Sequence, residues 1–367
     1  MSRRFGLLAA LTGLGALALG VSLRAAEQPP EVRASIKRGL EWLAANQSRD
    51  GHWEANGGQY PTSMTSLGGM SMLMEGSTLR EGKYSDNISR AVTWLTAPNR
   101  CQASGLIGDT ANQTERERYM YGHGFAILFL SSVYGEEEDG DRRKRLEQIL
   151  TKAVDFCGKA QTERGGWGYV SAKEGGGFDE GSVTITQLQA LRAAKNAGIV
   201  VPKSIIDKAV KYLKDCTTPR GGVIYSLAHG GPAAGAERPP LTAAAVACSF
   251  SAGDYKSDLA KQWIKFCQNA IPVARGRVGH DEYMHYYYAQ AVYILGDDRY
   301  AELFPDVKNK DDQLTWSRYK TAMYDSIVKG QNGDGSWSGG YIGPIFTTCV
   351  NLTILQLENS TLPIYQR

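Results

Sequence analysis

The sequence predicts an all-α fold: six helix–turn–helix repeats closed into an (α/α)6 toroid, with one ring of helices outside another. Three observations lead there. One phrase recurs six times in register, about 50 to 60 residues apart. A Gly-containing turn follows the phrase, as at Asp50-Gly51, Gly165-Gly166, Gly221-Gly222 and Asp334-Gly335. The stretch before each turn is amphipathic, whereas the stretch after it is often apolar nearly all round, which places it in the interior.

The first copy is the fullest. Arg38 to Trp53 reads basic, small, x, x, aromatic, aliphatic, x, x, x, Gln, x, x, x, Gly, x, Trp. Ile36, Leu40 and Leu43 stand at helical spacing before it, and Asp50-Gly51 supplies the positive-φ position that a tight reversal requires. Repeat two keeps Arg90-Ala91, Trp94-Leu95 and Asn99, then a long connection from Gln102 to Arg118 and the apolar run Gly124 to Leu130. Repeat three has Lys152-Ala153, Phe156-Cys157, Gln161 and Trp167, a connection from Ser171 to Glu180, and Thr184 to Leu191. Repeat four has Lys208-Ala209, Tyr212-Leu213 and Thr217, a Gly/Ala/Pro-rich connection from Ser226 to Pro240 that includes His229, and Leu241 to Ala247. Repeat five keeps Phe266-Cys267 and leads into His280 to Ala289. Repeat six keeps Ser326-Ile327, Gln331 and Trp337, then Thr347 to Leu355. The repeats run 35–87, 88–146, 147–202, 203–256, 257–315 and 316–360, after a linker at 27–34 and before a tail at 361–367.

Two columns of the phrase have direct physical readings. Gln47, Gln161 and Gln331 end the first helix and can bond its free carbonyls. Trp53, Trp167 and Trp337 stand six positions on, placed to pack over the turn and donate an indole N–H. Trp42 and Trp94 belong to the aromatic–aliphatic pair and form part of the frame.

The phrase resembles the repeat of squalene and oxidosqualene cyclases; the β subunits of protein prenyltransferases carry a related one. The resemblance runs from about Val32 to Leu357, and is nearest to the compact, exported squalene-cyclase-like proteins of bacteria. It implies one toroid domain with a central cavity open at one end. The acid motif of the bacterial cyclases, Asp-x-Asp-Asp-Thr-Ala, aligns with Glu180-Gly-Ser-Val-Thr-Ile, so Ser182 and Val183 stand where the paired acids belong. The Asp-x-Cys of the prenyltransferase zinc site has one match, Asp155-Phe-Cys157, on an outer helix and without a third ligand. The thioester motif Gly-Cys-Gly-Glu-Gln of complement-like toroids does not occur. No metal and no cofactor are expected.

Arg3-Arg4, an uncharged stretch from Phe5 to Leu23, and Arg24-Ala25-Ala26 read as a secretory signal over 1–26, with an uncleaved anchor as the alternative. Export to the periplasm or beyond follows, and membrane contact is expected only through this segment. Without 1–26 the chain has 38 basic and 38 acidic residues, which excludes a nucleic-acid reading from charge. The six cysteines include no Cys-x-x-Cys pair. Cys157 and Cys267 fall in the aliphatic column and read as buried free thiols, leaving Cys101 and Cys216 as the open pair.

The candidate site gathers at the starts of the inner helices. Tyr119, Tyr121 and His123 begin the inner helix of repeat two; Tyr283, His285, Tyr286 and Tyr287 begin that of repeat five. In a six-membered ring these repeats face each other, so the two groups are expected to converge across the cavity. Ser182, Thr184 and Thr347 join them as cavity residues. Asp179 is either an acid shifted by its loop or an N-cap, and His123 either a site residue or a structural histidine. The favoured function is binding of an apolar ligand such as an isoprenoid lipid, or of a peptide or protein partner, in the central cavity. The alternative is an enzyme on an isoprenoid-type substrate, with Asp179 or His123 as acid/base and tyrosines steadying positive charge.

Overall fold

In the computed structural model residues 28–366 are described, apart from 229, 232, 234, 252 and 272–280. The leader reading and His229 lie outside the described residues. The outer helices are α1 (Pro30–Ala45), α3 (Ser85–Leu95), α5 (Gly140–Ala160), α7 (Lys203–Asp215), α9 (Asp258–Ala270) and α12 (Trp316–Lys329). The inner helices are α2 (Pro61–Glu75), α4 (Gln113–Glu136), α6 (Gly181–Asn196), α8 (Pro239–Ser251), α10 (Asp281–Leu295) and α13 (Pro344–Gln356). A short helix, α11 (Arg299–Leu303), interrupts the connection from α10 to α12. Among the described residues there is no strand, and no helix is long and apolar enough to cross a membrane.

The inner helices form a closed circuit: α2 packs on α4, α4 on α6, α6 on α8, α8 on α10, α10 on α13, and α13 back on α2. Each outer helix lies mainly on the inner helix of the preceding repeat, so α1, first in the chain, docks on α13 and shuts the ring. Burial follows the sequence pattern. α2 is buried along its length except at Glu75, whereas α7 buries only Ile205, Ala209, Tyr212 and Leu213.

The repeated phrase is the device that joins one repeat to the next. Gln161 Nε2 donates to Gly165 O at 2.8 Å in its own turn and to Ile205 O at 2.9 Å in the next outer helix. Gln47 does the same with Gly51 O and Asn87 O, and Gln331 with Gly335 O and Ser35 O. The tryptophans donate backwards: Trp53 Nε1 to Leu43 O, Trp167 to Cys157 O and Trp337 to Ile327 O, at 2.7–2.8 Å. The small residue after the basic one makes room for the previous tryptophan. A Cβ on Gly39 would stand 2.7 Å from the Trp337 ring. Trp94, in the other aromatic column, donates Nε1 to Asp50 at 3.1 Å, while Trp42 is half-buried on the core.

Three expectations need correction. α4 starts at Gln113 rather than after Arg118. The Asn112 side chain caps it by accepting from Glu115 N, and the helical geometry breaks at Arg118 (φ −147°, ψ 35°). The tail at 361–367 does not trail away: Leu362, Ile364 and Tyr365 are buried, and the turn Pro363–Tyr365 packs on α6. The ring also has no open centre between α6 and α10. Gln189 Nε2 donates to Gln290 Oε1 at 2.6 Å, and the Tyr287 hydroxyl lies 3.4 Å from Thr186 Oγ1. Phe125 meets Tyr286 edge-on, and Tyr286 reaches the Tyr365 hydroxyl at 3.2 Å. Repeats two and five do face each other, but side chains fill the space between them.

All six cysteines are free thiols. Cys101 is half-buried and the rest are buried, so Cys101 and Cys216 do not pair.

Candidate functional site: a tyrosine bowl at the mouth of the ring

The connections from outer to inner helices collect at one end of the ring, where the inner helices begin. They lock together there: Asn56 N donates to Ile342 O, Asn112 Nδ2 to Gly58 O, Met120 N to Tyr169 O and Gly181 N to Tyr225 O. They carry half-buried tyrosines that cluster around Arg118 above the filled axis, a group called the tyrosine bowl. Tyr169 lies 6.0 Å from Tyr121 and 5.7 Å from Phe178, and its hydroxyl bonds that of Tyr225. The Arg118 guanidinium sits 4.6 Å over the Tyr169 ring, within electrostatic reach of Tyr60, Tyr121, Tyr225 and Tyr341.

The floor is polar. Glu180, fully buried, caps α6 by accepting from Ser182 N at 2.9 Å and Val183 N at 2.7 Å. Ser182 Oγ donates to the same carboxylate at 2.7 Å. The Tyr121 hydroxyl is 2.5 Å from Ser182 Oγ and 3.2 Å from Glu180 Oε1. Burial raises the Glu180 carboxyl above its ordinary range, while these hydrogen bonds pull the other way. Burial, and then the neighbouring Glu180, hold the Tyr121 phenol well above its ordinary value. Tyr283 completes the floor from α10, its hydroxyl 3.5 Å from Ser182 O.

Of the residues singled out by sequence, Tyr121, Ser182 and Tyr283 therefore meet. Tyr286 and Tyr287 lie deeper, in the filled axis. The others turn away from the mouth. Tyr119 accepts from Ser171 N at 2.7 Å and donates to Glu174 at 2.9 Å, tying down a loop. His285 packs outward, its Nδ1 2.8 Å from the Tyr319 hydroxyl on α12. Thr347 Oγ1 donates to Gly339 O at 2.9 Å. Thr184 Oγ1 accepts from Trp167 N at 3.0 Å and donates to Glu180 O at 2.8 Å.

His123 belongs to the same structural column as Thr184. Thr65, Thr184, Thr242 and Thr348 accept the backbone N–H of Trp53, Trp167, Val223 and Trp337, and His123 Nδ1 accepts that of Ile107 at 3.1 Å. Its Nε2 lies 3.2 Å from Ala153 O on α5. The histidine is fully buried between inner and outer rings, its pKa lowered by burial to about 4. It does not approach the tyrosines of repeat five.

Asp179 is also fully buried and also faces outward. It pairs with Arg164 Nε at 2.5 Å and accepts the Tyr212 hydroxyl at 2.8 Å and Leu227 N at 3.3 Å. The cap of α6 is Glu180, so Asp179 does not serve as the N-cap. Another buried carboxylate, Glu115, accepts from Thr62 N, Thr62 Oγ1 and Asp109 N at 2.6–2.8 Å, and burial pushes it up to about 7. Among the described residues no three His, Cys, Asp or Glu side chains gather as a metal-ligand set.

Sequence reasoning missed Tyr60, Arg118, Tyr169, Glu180 and Tyr225. Two signals were present. Tyr169 and Tyr225 each stand two residues after the tryptophan column, so consecutive repeats place them side by side. Glu180 occupies the first acid column of the motif whose second and third acids are Ser182 and Val183.

No family model and no curated protein matches the chain. Solved structures do. A type II terpene cyclase from Scytonema, in complex with the product merosterolic acid A, superposes with a TM-score of 0.56 at 15% identity, over 90% of this chain and 98% of that one. An α-1,6-mannanase from Salegentibacter sp. HEL1_6 gives 0.61 at 8%, over 90% and 99%. A D-mannose isomerase gives 0.58 at 11%, over 91% and 99%. At these identities the similarity establishes the α/α toroid fold.

Proposed function

We propose that this chain is an exported, ring-shaped binding protein whose ligand sits in the tyrosine bowl at the mouth and not along the axis. The observation that carries the reading is the contrast between the two places. Tyr286, Tyr287 and Tyr365 are buried against one another or their neighbours, whereas Tyr60, Tyr169 and Tyr225 are only half-buried around Arg118, with Tyr121 and Tyr283 in the floor beneath them. Half-exposed aromatic faces with hydroxyls at their edges suit a ligand that is part apolar and part polar. An isoprenoid chain threaded through the ring would first have to displace Tyr286 and Tyr365.

The test is native mass spectrometry of the protein incubated with a lipid extract and, separately, with mixed oligosaccharides. A retained small molecule that is lost in Tyr169→Ala and kept in Tyr286→Phe supports the bowl. Retention lost only in Tyr286→Phe overturns it.

One observation favours an enzyme as the second reading. Glu180 is a buried carboxyl with a raised pKa at the floor of an aromatic site, the setting in which a carboxylic acid becomes a proton donor. Asp179 and His123 are not placed for that role. The enzyme reading requires product formation that is abolished in Glu180→Gln while the variant remains folded.

A further inference from the structure

The charge and shape of the bowl narrow the ligand class. Arg118 is exposed, and among the described residues no carboxylate pairs with it. It lies over the Tyr169 ring and donates a hydrogen bond to the Tyr60 phenol oxygen, which leaves the remaining N–H groups of its five-donor fork for a carboxylate. The break in α4 at Arg118 lifts it out of regular helical geometry at the rim. Opposite it, Tyr60 holds a left-handed backbone (φ 51°) directly before Pro61, a conformation that glycine or asparagine adopts at less cost. A costly backbone geometry that keeps a phenol beside a cation points to a functional constraint.

The floor is polar and its groups are already bonded to one another, so it is not a surface for hydrocarbon. Glu180, Ser182 and Tyr121 set one carboxylate and two hydroxyls within 3.2 Å of one another. The axis beneath is filled, so there is no slot for an alkyl chain. A ligand that complements all of this has flat C–H faces for the tyrosine rings, hydroxyls for the phenols at their edges, and a negative charge for Arg118.

We propose that the bowl binds acidic saccharides, with Arg118 taking a uronate carboxylate and the Tyr169 and Tyr225 rings taking sugar faces. This rests on the reading of the bowl as the binding site, and the experiment separates the two. Hexagalacturonate, neutral mannohexaose and anionic phosphatidylglycerol vesicles are titrated calorimetrically into the wild type, Arg118→Ala, Arg118→Lys and Tyr169→Ala. Each variant is first checked for a cooperative thermal transition well above the titration temperature; Arg118→Ala should melt close to the wild type because Arg118 is exposed, and Tyr169→Ala lower because its ring packs on Tyr121 and Phe178.

The wild type is expected to bind hexagalacturonate at least about tenfold more tightly than mannohexaose, with added salt reducing the difference. Arg118→Ala should lose about that factor and bind the two sugars alike, and Arg118→Lys should fall between because it lacks the fork. Tyr169→Ala should weaken both sugars. Equal affinity for acidic and neutral sugar, lost in Tyr169→Ala but not in Arg118→Ala, overturns the acidic class and leaves the bowl standing. Sugar binding that neither variant changes overturns both. No sugar binding, or vesicle binding that depends on Arg118, overturns the saccharide proposal; in the second case the anion is a lipid headgroup.

Discussion

His123 and Asp179 show at the residue scale how burial direction decides what a polar side chain can do. Both look like catalytic groups in the sequence, and both point outward from the inner ring. His123 replaces threonine in a column that accepts one backbone N–H in five of the repeats, and its ring spans the extra distance to Ala153 O. Because burial lowers its folded pKa to about 4 from 6.5, the unfolded chain binds the proton more readily between those values. The stability it contributes is therefore present above about pH 6.5 and lost as the pH falls through about 4. In chemical denaturation from pH 7 to pH 4, wild type should lose on the order of 3 kcal/mol more than His123→Thr. Equal losses would show that His123 is not the neutral, buried group described. Nothing in the sequence says which way such a side chain points. A histidine between two glycines reads the same whether it lines a cavity or a helix interface, so these two assignments were out of reach of sequence reasoning.

Among elements, the turns after α1, α3, α5 and α12 do the work of joining repeats. In each of these four the glycine has a positive φ and lies against a backbone carbonyl of the next outer helix: Gly51 on Arg90, Gly105 on Lys152, Gly165 on Lys208, Gly335 on Arg38. The basic residue of the phrase is thus kept at the place where the neighbouring turn lands. A Cβ on Gly165 (φ +98°) would sit 2.3 Å from Lys208 O, whereas one on Gly176 (φ +61°) would meet nothing within 4 Å. Gly165→Ala is expected to destabilise the fold by about 3 kcal/mol or more, and Gly176→Ala by about 1 kcal/mol, the backbone part alone. Similar melting shifts for the two variants would contradict the interlock. This level of the structure was legible in the sequence because the phrase repeats and its Gln, Gly and Trp have fixed partners. The bowl was legible only in part. Tyr121, Ser182 and Tyr283 stand at inner-helix starts, but Arg118 lay in what reads as a loop, and Tyr169 and Tyr225 in connections whose paths the chain alone does not specify.

For the whole molecule, closure is shared between the two ends of the chain. α1 packs on α13, Gln331 bonds Ser35 O, and the Trp337 ring fits over Gly39. The six-fold phrase foretold this joint. It did not foretell that the tail would return: Leu362, Ile364 and Tyr365 carry no repeat signal, yet they enter the ring and end against Tyr286. A chain ending at Ser360 is expected to lose roughly a few kcal/mol, since ordering the tail's backbone offsets part of its apolar burial. It should also bind a hydrophobic dye that the full chain does not. Unchanged melting and no dye binding would show that the tail is not a plug.

The ring presents tyrosines at its mouth and is closed along its axis, and tyrosine nitration of the native protein followed by peptide mapping separates the two places. Tyr286, Tyr287 and Tyr365 are 3%, 0% and 2% exposed, whereas Tyr341 is 74% exposed and Tyr169 and Tyr225 are half-buried at the mouth. Tyr341 should be modified first, then Tyr169 and Tyr225, with Tyr286, Tyr287 and Tyr365 untouched until the protein unfolds. Nitration of Tyr286 or Tyr365 as fast as Tyr169 would mean an accessible axis, and would contradict the account.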